Sequence, residues 1–213
     1  MSDGSHTPRE KRTFWIAFLA GVAVVVGYAI YMMMPQTPAE IDEALTTDAP
    51  KVELTVAGQA NGVIEITLRP DLAPLHVKRI VQLANDGAYD NVMFHRVIDG
   101  FMAQTGDVEF GKADGNGTRA GMGGSAYPDL PAEFSDEPYV AGTVGMARSQ
   151  NPNSGNSQFF IMFAPAPFLD GDYTVVGHVT KGFEVVEQIK RGEGPNGAMI
   201  GDADVMTSLR VVE

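Results

Sequence analysis

Cysteine is absent from the 213-residue chain. Disulfide bonds, thiol nucleophiles and thiolate metal sites are therefore excluded. The absence is compatible with export, although it does not require export. Histidine is scarce as well, and none of the four has a spacing typical of metal ligands, so we expect no metal site: His6, His76, His95 and His178. Strand alternation should turn His95 away from its neighbour Arg96, and we expect His95 to be structural.

Basic residues are also few compared with acidic ones. Lysine and arginine number 15 against 27 aspartate and glutamate residues, which gives a net charge of −12. Nucleic acid is therefore not an expected partner, because phosphate binding requires a basic face. The charge is unevenly distributed: residues 1–34 carry a net +1, so the remainder of the chain carries −13.

No charged residue occurs between Phe14 and Met34, a run of 21 residues. As a helix this run would be about 31 Å long, which matches the hydrocarbon thickness of a bilayer. Rings that favour the membrane interface lie near its two ends, at Trp15, Tyr28 and Tyr31. We predict an uncleaved, single-pass signal-anchor helix over residues 14–34 in the inner membrane. Basic residues before an anchor stay inside, so residues 1–13 should be cytoplasmic and the C-terminal domain periplasmic.

The apolar run has two alternative explanations. A buried core helix would normally have a polar face, but this run has none and is followed by a proline-rich exit. A cleaved signal peptide usually has a shorter apolar region, about 7–15 residues, followed by small residues at the cleavage site. Met32–Pro35 offers no such site, which favours the anchor, but the sequence does not decide whether the segment is ever cleaved.

Residues 35–50 are typical of a linker, with three prolines and four acidic residues, and residues 51–213 are expected to form one domain. The chain has 13 prolines and 24 glycines, which favours a turn-rich β domain over a helical bundle. Helical spacing, with a proline at the start or a glycine after the end, predicts helices at Pro74–Asp86 and Phe183–Lys190. Asn61-Gly62 predicts a tight hairpin turn between the first two strands. Apolar or alternating segments predict strands at Lys51–Ala57, Val63–Leu68, Met93–Arg96, Met102–Thr105, Thr143–Ala147, Gln158–Phe163, Val175–Val179 and Ser208–Val212.

Three separate segments combine apolar residues with a few polar ones in a distinctive order. Phe94–Gln104 has the sequence FHRVIDGFMAQ, Gly155–Met162 has GNSQFFIM, and Phe168–Gly171 has FLDG. Together they resemble the signature of the cyclophilins, the peptidyl-prolyl cis-trans isomerases, and the resemblance extends from Val52 to Glu213. It implies a mainly β fold, a closed eight-stranded antiparallel barrel with a helix capping each open end.

The resemblance implies that Arg96 is the catalytic residue and that Gln104 holds it and hydrogen-bonds the substrate backbone. Rotation about an X-Pro bond has a barrier of about 18–20 kcal/mol, because the bond has partial double-bond character. In the twisted transition state the prolyl nitrogen regains a lone pair, to which a guanidinium can donate a hydrogen bond. That contact is stronger in the twisted state than in the planar one, so it would accelerate rotation without a cofactor or a covalent intermediate.

The resemblance also implies a substrate-binding set around the proline ring and its neighbours: Phe101, Met102, Ala147, Arg148, Phe160, Phe168, Leu169 and Tyr173. Three members depart from common family patterns. Arg148 stands where asparagine is frequent, and its side chain could alter the preference for flanking residues. Phe168 and Tyr173 stand where eukaryotic members often have tryptophan and histidine, which resembles the bacterial branch. Without an indole N–H at position 168, cyclosporin binding should be weak while isomerase activity is kept.

The favoured function is therefore prolyl isomerisation of unfolded or newly exported polypeptides. One alternative is a membrane-tethered module that binds proline peptides, or a chaperone, with incidental turnover; a structural anchor protein is another. Arg96 together with Gln104 favours an enzyme, because binding alone needs no transition-state donor. Gly115–Ala120 also fits a dinucleotide-binding G-x-G-x-x-A pattern, but no helical pattern follows it, so we expect a surface loop. The sequence does not determine the client proteins, the preference before proline or the oligomeric state.

Overall fold

The computed structural model describes residues 49–115 and 117–212. The predicted anchor helix at residues 14–34 and nearly all of the predicted linker lie outside this range. Within the described part of the chain, no helix combines the length and the apolar character needed to cross a membrane.

The described residues form nine β-strands, two α-helices and two short 3-10 helices, Pro167–Leu169 and Pro195–Gly197. The α-helices are α1 (Pro74–Asn85) and α2 (Phe183–Gln188). The strands are β1 (Lys51–Ala57), β2 (Gly62–Leu68), β3 (Val92–Met93), β4 (Arg96–Ile98), β5 (Met102–Thr105), β6 (Thr143–Met146), β7 (Phe159–Met162), β8 (Val175–Lys181) and β9 (Val205–Val212).

The nine strands belong to one antiparallel sheet with the order β3-β9-β1-β2-β8-β6-β7-β5-β4. Over residues 49–115 and 117–212 the two end strands, β3 and β4, do not pair with each other, so the sheet is a half-barrel. The prediction of a closed eight-stranded barrel was therefore wrong in both closure and strand number. The reason lies at Phe94 and His95, where the predicted strand Met93–Arg96 is interrupted. Before them β3 pairs with β9, and after them β4 pairs with β5.

The hairpin of β1 and β2 follows the predicted alternation. Val52, Leu54 and Val56 on β1 are buried, as are Ile64 and Ile66 on β2. Apolar side chains at every second position of both strands thus face one core, as the twofold repeat of a strand requires.

Helix α1 packs its apolar stripe onto the same core, through Val77, Ile80, Leu83 and Ala84. Proline at its first position leaves no N–H to satisfy there. The carboxylate of Glu133 accepts hydrogen bonds from the backbone N–H groups of Leu75 and His76 at this end, at 3.0–3.1 Å. Helix α2 ends at Gln188, before the predicted Lys190, because Ile189 is extended and the Lys190 N–H donates to Asp204 at 2.7 Å.

A second, smaller apolar cluster lies beside the main core. It forms the support for the cavity described next, and its buried members are Met102, Tyr139, Phe160, Met162, Ala166, Leu169 and Val175.

Candidate active site

Every residue that the sequence assigned to catalysis or substrate binding lines one surface cavity of about 350 Å³. Its lining consists of those ten residues: Arg96, Phe101, Met102, Gln104, Ala147, Arg148, Phe160, Phe168, Leu169 and Tyr173. The structure therefore brings together residues that are as much as 77 positions apart in the chain, from Arg96 to Tyr173.

Strand register accounts for the central row of this cavity. Arg96 on β4 lies opposite Gln104 on β5, and Gln104 lies opposite Phe160 on β7. Residues that are opposite each other on neighbouring strands share one face of the sheet. A cation, an amide and an aromatic ring thus follow one another across three adjacent strands.

The floor of the cavity is apolar and rigid. Met102, Phe160 and Leu169 are at most 5% exposed. The Phe160 ring stacks on Tyr139 with centroids 5.8 Å apart and meets Tyr173 edge-on at 5.9 Å. A floor of locked rings and aliphatic chains offers a fixed surface to a compact apolar ring.

The rim of the cavity is much more accessible. Phe168 is 70% exposed, and its ring is tilted by 38° against the ring of Phe101, with 5.6 Å between the ring centroids. On the other side, the Arg148 guanidinium lies 4.3 Å from the centre of the Tyr173 ring and donates to the Asp172 carbonyl at 3.0 Å. These rim side chains can contact residues on either side of a bound proline.

Arg96 is half-buried and is held at the edge of the cavity by neutral acceptors. Its Nη1 donates to Gln104 Oε1 at 3.1 Å, its Nε to the Asn196 carbonyl at 3.1 Å, and its Nη2 to Asn196 Oδ1 at 3.0 Å. Burial lowers the pKa of Arg96 from its ordinary value, with Tyr173 acting in the opposite direction. Arginine nevertheless stays protonated at physiological pH, so the cavity has a permanent cation at its edge.

Gln104 is itself held in place by a hydrogen bond from its amide nitrogen. Its Nε2 donates to Gln158 Oε1 at 2.9 Å, and Gln158 Nε2 donates to the Gly123 carbonyl at 2.8 Å. This chain of amides connects Arg96 to the loop around Gly123. It orients the Gln104 carbonyl oxygen towards the guanidinium, because the amide nitrogen already has a partner.

A larger cavity of about 650 Å³ adjoins the first and shares Gln104, Ala147 and Arg148 with it. One wall is the loop from Gly121 to Asp129, which the buried Asp107 holds by accepting hydrogen bonds from the Gly121 and Gly123 N–H groups at 2.7 and 3.0 Å. Residues 118–121 form turns, so this stretch lacks the helix that a dinucleotide site would need.

The histidines of the described range are buried in other surroundings. His76 pairs with Glu133 at 2.7 Å and His178 pairs with Glu137 at 3.1 Å, and His95 is only 8% exposed. Burial lowers the pKa of all three below the ordinary value, and the neighbouring carboxylates only partly oppose this. Among residues 49–115 and 117–212 no group of three or more acidic, histidine or cysteine residues could bind a metal ion.

Sequence reasoning missed three residues that shape the site. Gln158 lies inside the GNSQFFIM segment but received no role. Gly145 lies opposite Phe160 on β6, where a Cβ atom would stand 2.6 Å from the Phe160 ring. Asn196 lies 100 positions from the arginine it contacts. The dipeptide Asn196-Gly197 is a recognisable turn signal, but nothing in the sequence indicates which strand the turn packs against.

Comparison with known proteins agrees with this geometry. The family model described as cyclophilin type peptidyl-prolyl cis-trans isomerase/CLD matches residues 51–211. A probable peptidyl-prolyl cis-trans isomerase of Brucella suis biovar 1 (strain 1330) is 63% identical over 142 residues, which cover 65% of this chain and 72% of that protein.

Solved structures give the same result. The crystal structure of a cyclophilin type peptidyl-prolyl cis-trans isomerase of Cryptosporidium parvum has a TM-score of 0.65 at 26% identity, covering 78% of this chain and 98% of that chain. A second crystal structure of that protein, in the presence of the dipeptide Ala-Pro, has a TM-score of 0.64 at 27% identity, covering 76% and 99%. The fold, the cavity and the family match over residues 51–211 lead to one conclusion: the chain belongs to the cyclophilin-type peptidyl-prolyl cis-trans isomerases and is an enzyme of that class.

Proposed function

We propose that this isomerase accelerates rotation about X-Pro bonds in unfolded or newly exported polypeptides, with Arg96 donating a hydrogen bond to the prolyl nitrogen in the twisted transition state. The observation that carries the proposal is the position of Arg96. It is a fixed cation at the edge of a cavity with an apolar floor, and its hydrogen-bond partners are neutral.

The cavity supplies the two parts that rotation requires. Met102, Phe160 and Leu169 hold the proline ring, while the residue before proline rotates against it. A planar peptide nitrogen is a poor acceptor because its lone pair is delocalised, and twisting localises that pair. A preorganised guanidinium therefore stabilises the twisted state more than either planar state, which lowers the barrier.

Proline-containing polypeptides are the substrates that this arrangement fits. The related Cryptosporidium parvum protein has been crystallised in the presence of Ala-Pro. In this chain the backbone of Ala147 and Arg148 continues from β6 along the groove, where an extended substrate can pair with it. Phe168 and Arg148 at the rim would contact the residues that flank the proline.

The test of this proposal is Arg96→Ala in the full chain, with Arg119→Ala as a control that removes an arginine stacked on Phe110 outside the cavity. NMR exchange on an Ala-Pro peptide gives the rate of interconversion and the affinity together. A hydrogen bond to a charged group is worth about 1.5–3 kcal/mol, so turnover should fall by about 10- to 150-fold with peptide affinity nearly unchanged. Parental turnover in a folded Arg96→Ala protein would refute the mechanism. Loss of peptide binding to the same extent as turnover would favour the binding-module alternative.

We also propose that residues 14–34 anchor the enzyme in the inner membrane with its catalytic domain in the periplasm. The support is the uncharged run of 21 residues, preceded by a short segment with three basic residues. Protease added to intact spheroplasts should digest the catalytic domain. A mature soluble protein that begins after Met34 would show a cleaved signal peptide instead.

A further inference from the structure

The guanidinium of Arg96 is held along one edge by a single residue, Asn196. The Nε and Nη2 groups, which form that edge, donate to the backbone carbonyl and to the side-chain Oδ1 of Asn196 at 3.1 and 3.0 Å. Gln104 takes one N–H of Nη1. A guanidinium has five N–H donors in a planar fork, so these three contacts fix its plane and leave one N–H on each terminal nitrogen.

The turn that presents Asn196 is attached to the strand that carries Arg96. The N–H of Gly192 donates to the Val97 carbonyl at 2.9 Å, and the N–H of Met199 donates to the His95 carbonyl at 3.1 Å. The turn is therefore hydrogen-bonded to the chain on both sides of Arg96, at His95 just before β4 and at Val97 within it.

The backbone of Asn196 is in the left-handed region, with φ 56° and ψ 32°. Asparagine accepts this conformation more readily than most residues with a side chain, whereas alanine would be strained in it. This conformation lets one residue present two oxygens, one from the main chain and one from the side chain, to the same edge of Arg96.

Both oxygens are uncharged, although a carboxylate is the usual partner for this edge of an arginine. None of the ion pairs formed among residues 49–115 and 117–212 includes Arg96. A carboxylate in this place would orient the guanidinium equally well. It would also offset the positive charge of Arg96, and this would weaken the hydrogen bond that Arg96 donates to the twisted prolyl nitrogen.

We infer that Asn196 is a positioning residue for Arg96: it fixes the plane of the guanidinium by a two-point contact while leaving its positive charge available to the substrate. The inference rests on the proposed catalytic role of Arg96 and adds the requirement that its holder be neutral. Asn196 itself need not touch the proline.

Two substitutions in the full chain separate the parts of this inference. Asn196→Gly removes Oδ1 but tolerates the left-handed backbone and keeps the carbonyl contact. Asn196→Asp keeps the side-chain oxygen and adds a negative charge. Asn91→Gly is the matched control, because Asn91 also has a positive φ of 60° and lies outside the cavity. Folding of each variant is checked by its amide NMR spectrum.

We expect Asn196→Gly to lower turnover of an Ala-Pro peptide by about tenfold, since small misplacements of a catalytic group are costly. Asn196→Asp should lower turnover by about tenfold for a different reason, because its carboxylate offsets the positive charge of Arg96. Peptide affinity should stay within about twofold of the parent, because the ring contacts of the floor are untouched. Asn91→Gly should leave both quantities at parental values.

The decisive measurement repeats Asn196→Gly in the Arg96→Ala background. A residue that acts through Arg96 should cause no further loss there, whereas a purely structural residue would lower turnover to the same extent in both backgrounds. An equal loss in both backgrounds, parental turnover of Asn196→Gly, or parental turnover of Asn196→Asp would each overturn the inference. If Arg96→Ala alone keeps parental turnover, the proposed catalytic role of Arg96 is refuted. If Arg96→Ala loses turnover but Asn196→Gly keeps it, only the positioning role of Asn196 is refuted.

Discussion

A single methyl group placed behind the proline pocket should damage it as effectively as a change on its surface. Gly145 lies on β6, directly opposite Phe160, and is buried. A Cβ atom built there would lie 2.5 Å from Tyr139 Oη and 2.6 Å from Phe160 Cζ. Carbon atoms in contact are normally about 3.5–4.0 Å apart, so Gly145→Ala must push the Phe160 ring outwards by about 1 Å.

The expected cost follows from this displacement. Overpacking of a well-packed core usually costs about 1–3 kcal/mol of unfolding free energy, and Phe160 cannot retreat easily because it stacks on Tyr139 and meets Tyr173. Phe160 lines the cavity, so its ring is expected to move towards that open space. Displacement of the floor by about 1 Å should lower turnover of a proline peptide by up to about a hundredfold.

Urea unfolding of the full chain measures the first effect, and NMR exchange on an Ala-Pro peptide measures the second. The matched control is Gly145→Ala combined with Phe160→Leu, in which the ring edge that meets the new methyl group is gone. The methyl group should cost less unfolding free energy in that background than in the parent. Parental stability and parental turnover of Gly145→Ala would show that β6 and β7 leave room for the methyl group, which would refute this prediction.

Three further predictions concern the floor, the buried histidines and the rim. Phe160→Ala should lower peptide affinity and turnover together, because the ring contacts both planar forms of the substrate; truncation of a buried phenylalanine costs about 3–5 kcal/mol in a core and less in an open groove. Titration and exchange on one peptide will compare the two effects, and a fall in turnover alone would contradict the assignment. Burial lowers the pKa of His95, so the folded chain binds fewer protons than the unfolded chain, and stability should decline as pH falls below the ordinary histidine value of 6.5. Urea midpoints at several pH values should show a shallower decline for His95→Gln, and an identical decline would exclude a contribution from His95. Phe168→Trp should bind cyclosporin more tightly than the parent in a fluorescence titration, since the exposed position can accommodate the indole and its N–H; equal affinity would place the cause elsewhere.

Much of the site could be predicted before the structure was described. The three short segments contain seven of the ten residues that line the cavity, and the family resemblance supplied the other three, Ala147, Arg148 and Tyr173. The order of the segments in the chain gives no distances. Local patterns also located α1 to within one residue and β5 to the residue, because helical spacing and strand alternation depend on near neighbours.

Local sequence patterns could not predict whether the two end strands of the sheet pair with each other. The segment Met93–Arg96 has the composition of one strand, yet the structure splits it, because β3 and β4 pair with different partners that are remote in the chain. Strand pairing is decided by long-range register, and periodicity within a segment does not report it.

The sequence by itself determined the buried faces of α1 and β2, and it indicated the chemical groups of the site: the Arg96 cation, an amide and a set of apolar side chains. Only the tertiary structure decided how that cation is held and what lies behind the rings. Arg96 meets Asn196 across 100 positions of chain, and Gly145 meets Phe160 across two paired strands. The physical reason is that side-chain type and local periodicity are properties of a segment, whereas orientation and packing depend on contacts between segments that the folded backbone alone brings together.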